Sequence, residues 1–386
     1  MKTNYQRLLA LDVLRGITIS GMILVNDPGS WESVYAPLRH AQWNGLTPTD
    51  LVFPFFMFIM GVSTYISLKK YRFECTRQAI WKIVKRTCVI FFIGLAIVWF
   101  SMFCSAWNRL GSQDISIWSR LGQSVWTFDH IRILGVLQRL ALSYGIGAII
   151  ALTLKHKYIP YLIVTLLAGY FLILLFGNGY EYNETSILSI VDRAVLGVQH
   201  MYKDNGIDPE GLLSTIPSIA HVLIGFWCGK WLMEEKDIKE KLLQLFLLGT
   251  VLTFLGFLLN YGIPINKKIW SPTFVMVTCG LASLFLALLI WIIDIKGYKK
   301  WSRFFEAFGV NPLFMYVVAA VLSILLGSIH FTSGGETISL HGFAYRNVLQ
   351  PVFGDYLGSL VFAVLFVCLV WVCGYTLYKK KIYIKI

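Results

Sequence analysis

The chain alternates between long apolar runs and short polar ones. Val89 to Phe100, Tyr158 to Phe176 and Leu242 to Leu259 contain no charged residue. A spanning helix needs about 20 largely apolar residues. On that measure the pattern predicts ten spans, near 8–26, 48–68, 86–104, 131–154, 158–176, 212–233, 242–260, 272–294, 305–327 and 351–378. The expected fold is an all-α polytopic membrane protein of about ten transmembrane helices. No tandem repeat, low-complexity tract or linker divides it, so residues 1–386 are expected to form a single transmembrane domain. The first apolar run passes no small-residue cleavage site and is expected to be a retained helix.

Composition agrees with the pattern. The chain is 56% hydrophobic and 14% charged, against about 25% charged in soluble domains. Most of the seven cysteines lie in or beside apolar segments, and none stands at a metal-ligand spacing from a histidine. Neither a disulfide framework nor a metal site is expected.

The net charge of +13 changes the picture through its placement. Basic residues alternate from loop to loop. One side holds Lys2, Arg7, the group from Lys69 to Arg86, Lys155, Lys157, Lys230, Lys236, Lys239, Lys241, Lys296, Lys299, Lys300, Arg303, Lys379 to Lys381 and Lys385, together 23. The other holds Arg39, Arg109, Arg120, Arg193, Lys203, Lys267, Lys268 and Arg346, together 8. The positive-inside rule then puts both termini in the cytoplasm. No basic stripe is interleaved with exposed aromatics, which argues against nucleic acid as a partner. The lipid bilayer is the partner this distribution implies.

The longer loops, 27–47, 105–130, 177–211 and 328–350, then fall on the outer face. Loops held by a rigid scaffold are where chemistry concentrates. Thr47-Pro48-Thr49-Asp50 has the form of a capping box with proline at the first helical position. Asp208-Pro209, Ser271-Pro272 and Gln350-Pro351 place proline likewise. Four helix N-termini at one face would offer partial positive charge to a developing oxyanion.

His40 leads the candidate chemistry, in the segment His40-Ala41-Gln42-Trp43-Asn44-Gly45-Leu46-Thr47. A neutral imidazole serves as a general base near pH 7 or accepts an acyl group. Asn26 closes the first span and Asn44 follows His40; both side chains can hydrogen-bond a carbonyl or an imidazole. Within the spans lie Asp12 and Arg15, then Arg132, Gln138 and Arg139, the two arginines seven apart and therefore on one helical stripe. Three intramembrane arginines against one aspartate call for anions, and a phosphate-bearing ligand would satisfy them. Asp50, Asp208, Glu210, Asn266 and Lys267 complete the outer-face candidates, and Asn311-Pro312 marks a kink or cavity wall.

These residues resemble those of the transmembrane acyltransferases typified by the heparan-α-glucosaminide N-acetyltransferase family and its bacterial relatives. The resemblance rests on Leu11-Asp12-Val13-Leu14-Arg15-Gly16, the His40 segment, Asp50-Leu51-Val52-Phe53-Pro54-Phe55-Phe56, and Phe58-Ile59-Met60-Gly61. It continues through Arg132 to Arg139, Asp208-Pro209-Glu210-Gly211 and Pro264-Ile265-Asn266-Lys267. It implies that His40 is the active-site residue, supported by Asn26, although the stretch from Asn26 to His40 is longer here than in the family. It implies acetyl-CoA as donor, an amino sugar as acceptor at the outer face, a possible homodimer, and residence in a bacterial cytoplasmic membrane. Arg15, Arg132, Gln138 and Arg139 would hold the donor; Asp50, Asp208, Glu210, Asn266 and Lys267 would hold the acceptor. The rival reading is a transporter for an amino sugar, which would show inverted repeats that the sequence does not display.

Overall fold

The computed structural model describes residues 8–384 apart from 112, 203 and 236; Lys2, Arg7, Lys203, Lys236 and Lys385, counted above, lie outside the described residues. The chain runs through α1 (Leu9–Asn26), α2 (Val52–Lys69), α3 (Arg77–Leu110), the short α4 (Ile117–Val125), α5 (Val136–Thr153), α6 (Ile159–Phe176) and the short α7 (Ile187–Leu196). It continues through α8 (Thr215–Glu234), α9 (Ile238–Leu259), α10 (Pro272–Leu289), α11 (Arg303–Val310) and α12 (Pro312–Ser328). A hairpin of β1 (His330–Ser333) and β2 (Glu336–Ser339) pairs Phe331 with Ile338. The short α13 (Leu340–Phe343) and α14 (Gln350–Phe353) then lead into α15 (Asp355–Lys379).

Nine of the described helical segments are long and apolar enough to cross a membrane. The bent pair α11–α12, counted as one, supplies the tenth. The protein is a polytopic α-helical membrane protein. Its spans fall into two groups. α1, α2, α5, α8 and α10 are largely buried, whereas α3, α6 and α9 face mostly outward. The inner helices pack α2 against α8 and α1 against α11, and the outer ones join through α9 on α10 and α3 on α5.

One contact sets the position of everything near Arg15. A Cβ on Gly16 would lie 1.9 Å from the carbonyl oxygen of Phe305, and one on Gly309 would lie 1.9 Å from that of Asp12. Only glycine lets α1 and α11 approach this closely. The same approach puts the Gly309 carbonyl 3.2 Å from the Arg15 guanidinium. The chain then turns by 88° at Asn311 before Pro312 starts α12. Proline has no N–H to continue the ladder and clashes with the preceding turn, so the kink expected at this dipeptide is a sharp break. The Asn311 side chain is held by the segment after α15: it donates to Ile382 O at 2.9 Å and accepts from Ile384 N at 2.8 Å.

Several expectations need correction. α3 is 34 residues long, not the 19 of its apolar window. Thr76 caps it by accepting from Ala79 N, and the basic turns carrying Lys82, Lys85 and Arg86 continue the same helix. α5 starts at Val136, so Arg132 lies on an extended segment before it, and the stripe shared with Arg139 does not form. Ile133 N there donates to His200 O, and His200 Nδ1 meets Ile131 O at 2.8 Å. Asp208-Pro209 likewise opens a loop, not α8, which begins at Thr215. Gln350-Pro351 starts only the short α14, and Gly354, with φ +73°, separates it from α15.

Candidate active site

Two loops meet at the end of the bundle that carries His40. The first is Thr47-Pro48-Thr49-Asp50. Asp50 Oδ2 accepts from Thr47 N at 3.1 Å and Thr47 Oγ1 at 2.9 Å, completing the capping box that starts the Pro48–Leu51 turn into α2. Ala41 N donates to the same oxygen at 3.1 Å. Asp50 is thereby fixed, and 1% of its side chain is exposed. Its other oxygen, Oδ1, lies 2.6 Å from His40 Nδ1. A helix cap has become the orienting partner of a histidine.

The second loop, 263–271, is bolted to the first. Gly45 N donates to Ile265 O at 2.8 Å, and Asn266 Nδ2 donates to Asn44 Oδ1 at 3.1 Å. Gly45 has φ +118°, a backbone state that side chains rarely adopt. Asn266 is fully buried and also closes its own loop, accepting from Ile269 N and donating its backbone N–H to Ser271 Oγ. The tight turn leaves Trp270 at φ +52°, an unusual state for a bulky residue. Its ring packs edge-on to Phe53 and Phe274. Ser271 then caps α10 through Phe274 N.

This loop places the Lys267 ammonium 3.4 Å from Asp50 Oδ1 and 3.0 Å from His40 Nδ1. Nδ1 has one in-plane position for a proton. The 2.6 Å contact with a carboxylate requires that proton to sit on Nδ1 and point at Asp50. Lys267 is therefore a charge neighbour of the pair and not a donor to the ring. Burial pushes the Lys267 amine down from its ordinary value, against the attraction of Asp50 and Glu210. With Nδ1 committed, Nε2 of a half-exposed ring is the free basic nitrogen.

A third group adjoins. Arg132 donates to Asp208 Oδ1 and Glu210 Oε2, each at 2.5 Å. Asp208 is fully buried and also accepts from Tyr202 N and Glu210 N. Burial alone would lower the Arg132 value; Glu210 and Asp208 outweigh it and raise it. Arg139 is enclosed behind them. It donates to Gly211 O at 3.1 Å and to Ser214 Oγ, with Trp270 5.1 Å from its guanidinium carbon.

From the opposite end of the bundle a cavity of about 320 Å³ runs between α1, α2, α3, α5 and α12. Its deep wall is apolar, with Phe53, Met60, Val136 and Leu140 among its residues. Arg15, Lys82 and Arg86 also line it. Lys82 and Arg86 are four apart on α3 and so share a face. Both lie near aromatic rings, Tyr71 and Tyr144, and neither has a carboxylate within ion-pair distance among the described residues. Arg15 is held by Asp12 at 2.9 Å and Ser63 at 2.8 Å. The apolar end stops at Phe53 and Val136, close in sequence to Asp50 and Arg132.

Residues 7–263 match the profile described as heparan-alpha-glucosaminide N-acetyltransferase, catalytic. The chain belongs to the heparan-alpha-glucosaminide N-acetyltransferase catalytic family. It is 28% identical to heparan-alpha-glucosaminide N-acetyltransferase of Mus musculus, in an alignment covering 100% of this chain and 61% of the relative. It is 30% identical to the Homo sapiens protein of that name, over 81% of this chain and 52% of the relative. The chain thus spans about half to three fifths of the length of the curated relatives it matches.

In this member of the heparan-alpha-glucosaminide N-acetyltransferase family, the segment matched by the family profile contains His40, Asp50, Arg132, Asp208 and Glu210, while Asn266 and Lys267 lie just beyond it. The structure brings His40, Asp50 and Lys267 into direct contact and ties Asn44 to Asn266. It leaves Asn26 apart: that side chain lines a different cavity, with no hydrogen bond to His40. Of the four residues expected to hold a donor, only Arg15 lines the cavity from the basic end. Arg132 faces Asp208 and Glu210 instead, and Gln138 and Arg139 are buried behind the cavity wall. The charge pattern alone groups Lys82 and Arg86 with the other basic loop residues. Their i, i+4 spacing is the signal that would have set them apart.

Proposed function

We propose that the chain is a transmembrane N-acetyltransferase that takes acetyl from acetyl-CoA at the basic end of the bundle. It delivers the group to the amino nitrogen of a glucosamine-type sugar at the His40 end. The observation that carries this reading is the pairing of a carboxylate-anchored histidine with an apolar cavity. That cavity approaches it from the far side and holds two unneutralised cations. Lys82, Arg86 and Arg15 suit the phosphates of a coenzyme A ester. The narrow apolar interior suits its long uncharged arm. The basic-loop rule favours a cytoplasmic position for that end, which supports a donor and an acceptor on opposite faces.

In this reading the sugar's free amine attacks the thioester carbonyl carbon. His40 Nε2 takes the proton that leaves the nitrogen, and Asp50 balances the imidazolium charge through Nδ1–H. The Lys267 ammonium stands beside the pair, where it can stabilise the tetrahedral oxyanion. When the C–S bond breaks, the thiolate leaves and takes the proton back from His40. Asn44 and Asn266 hold the two loops in register, and the Arg132–Asp208–Glu210 group fixes the loop beside them.

The test is release of coenzyme A thiol by purified protein given acetyl-CoA and glucosamine. We expect release that depends on glucosamine and is abolished in a folded His40→Ala variant. One equivalent of thiol released per chain without any acceptor would overturn the base role in favour of an acetyl-histidine. No release with any amino sugar, together with sugar uptake into liposomes, would overturn the enzyme reading.

A further inference from the structure

A second cavity, of about 370 Å³, opens among α1, α3 and α12 at the His40 end. Most of its wall is apolar, from Ile97, Met102, Ala320 and their neighbours, but Asn26, Asp27, Ser101, Ser323 and Tyr316 put polar atoms into it. Asp27 is the one acidic residue in that wall. Ser323 donates a hydrogen bond to it, burial pushes its carboxyl up to about 6, and no cation lies within ion-pair distance among the described residues. A carboxylate taken out of water without a counter-charge is costly, and a bound cation relieves that cost. The cavity also borders the donor cavity and the Arg132–Glu210 group. It shares Met22 and Tyr316 with the donor cavity, and Tyr316 lies within electrostatic reach of Asp27, Glu210 and Arg132.

We infer that this cavity binds the acceptor sugar as its ammonium form, with Asp27 as the counter-charge and the Asn26 amide and Ser101 hydroxyl as partners for the sugar's own hydroxyls. The volume falls in the range of small-molecule sites, where an apolar wall carries a few placed polar groups. Binding the ammonium here would select amino sugars over neutral ones before any proton is moved. The inference rests on the acceptor named under the proposed function, but it concerns binding alone.

The experiment is therefore a binding measurement without acetyl-CoA, by calorimetry on the full chain in lipid nanodiscs, using glucosamine and glucose. Wild type is expected to bind glucosamine at least tenfold more tightly than glucose. Asp27→Asn is expected to erase that difference while leaving acetyl-CoA affinity unchanged, and Asp27→Glu is expected to keep part of it. Ala320→Phe fills the cavity without altering Asp27 and should lose both sugars. Equal affinity of wild type for the two sugars, an Asp27→Asn variant that still prefers glucosamine, or full binding by Ala320→Phe would overturn the inference. Because no thiol is read, absence of catalysis and absence of this site are separate results.

Discussion

At 2.6 Å from a buried carboxylate, the two nitrogens of the His40 ring are no longer equivalent. Asp50 fixes the tautomer and the ring plane, and it is itself fixed by three donors from Ala41 and Thr47. Changing Asp50→Asn keeps the shape but puts an amide where a negative acceptor stood. The expected result is a fall in kcat of about four orders of magnitude, comparable to the same change in the Ser-His-Asp triad. The KM for acetyl-CoA should stay within a factor of about two, since Asp50 is far from the cationic residues of the donor cavity. Steady-state thiol release checks both numbers, and an unchanged kcat would remove Asp50 from the chemistry. The signal for this contact was in the sequence: Thr47 and Asp50 read as a capping box, and His40 read as the leading histidine. What the sequence did not reveal was that one carboxylate does both jobs. Nor did it reveal the Asn44–Asn266 bond, which joins positions 222 apart. Pairings of that kind depend on helix packing, which leaves no local mark.

The spans themselves were legible because lipid imposes a length and a composition on them. Their ends were legible where a cap or a proline acts locally, as at Ser271-Pro272, and Asn311-Pro312 was legible as a kink though not as a full break. They were misread where a tertiary partner overrides the pattern. Arg132 leaves the expected helix because Asp208 and Glu210 hold it elsewhere, and α3 continues past its apolar window because a charged turn is still a good helix. The α1–α11 contact shows what an element needs from its sequence. Gly16→Ala would force a methyl group against the Phe305 carbonyl, and Gly309→Ala would do so against Asp12. Overpacking of this kind costs about 1–3 kcal/mol. Each variant should therefore melt a few degrees lower in detergent. It should also bind acetyl-CoA more weakly, because Arg15 takes its position from that contact. Melting curves unchanged from wild type would show that the helices can separate without cost.

Across the whole molecule, charge is arranged for two purposes that look alike in sequence. Basic residues gathered at one end are what the positive-inside rule uses to orient a chain in the membrane. Lys82 and Arg86 belong to the same count but turn into a cavity. A Lys82→Ala, Arg86→Ala double variant should keep its topology, because many other basic residues share that end. Hydrogen bonds to charged groups contribute about 1.5–3 kcal/mol each, so the KM for acetyl-CoA should rise at least tenfold with the glucosamine KM unchanged. A donor KM equal to that of wild type would move the phosphate site away from α3.

The two cavities enter the bundle from opposite ends and share Met22 and Tyr316 as a common wall. A bilayer normally spreads its voltage over about 30 Å of hydrocarbon. Where such cavities, filled by water or polar ligands, reach in from both sides, the voltage concentrates across the thin partition left between them. Any charge displaced there works against nearly the full potential, about 2.3 kcal/mol per elementary charge for each 100 mV. The partition between the two cavities is thus also the molecule's electrical insulation, and on the proposed function an energised membrane would bias whatever charge movement accompanies each turnover.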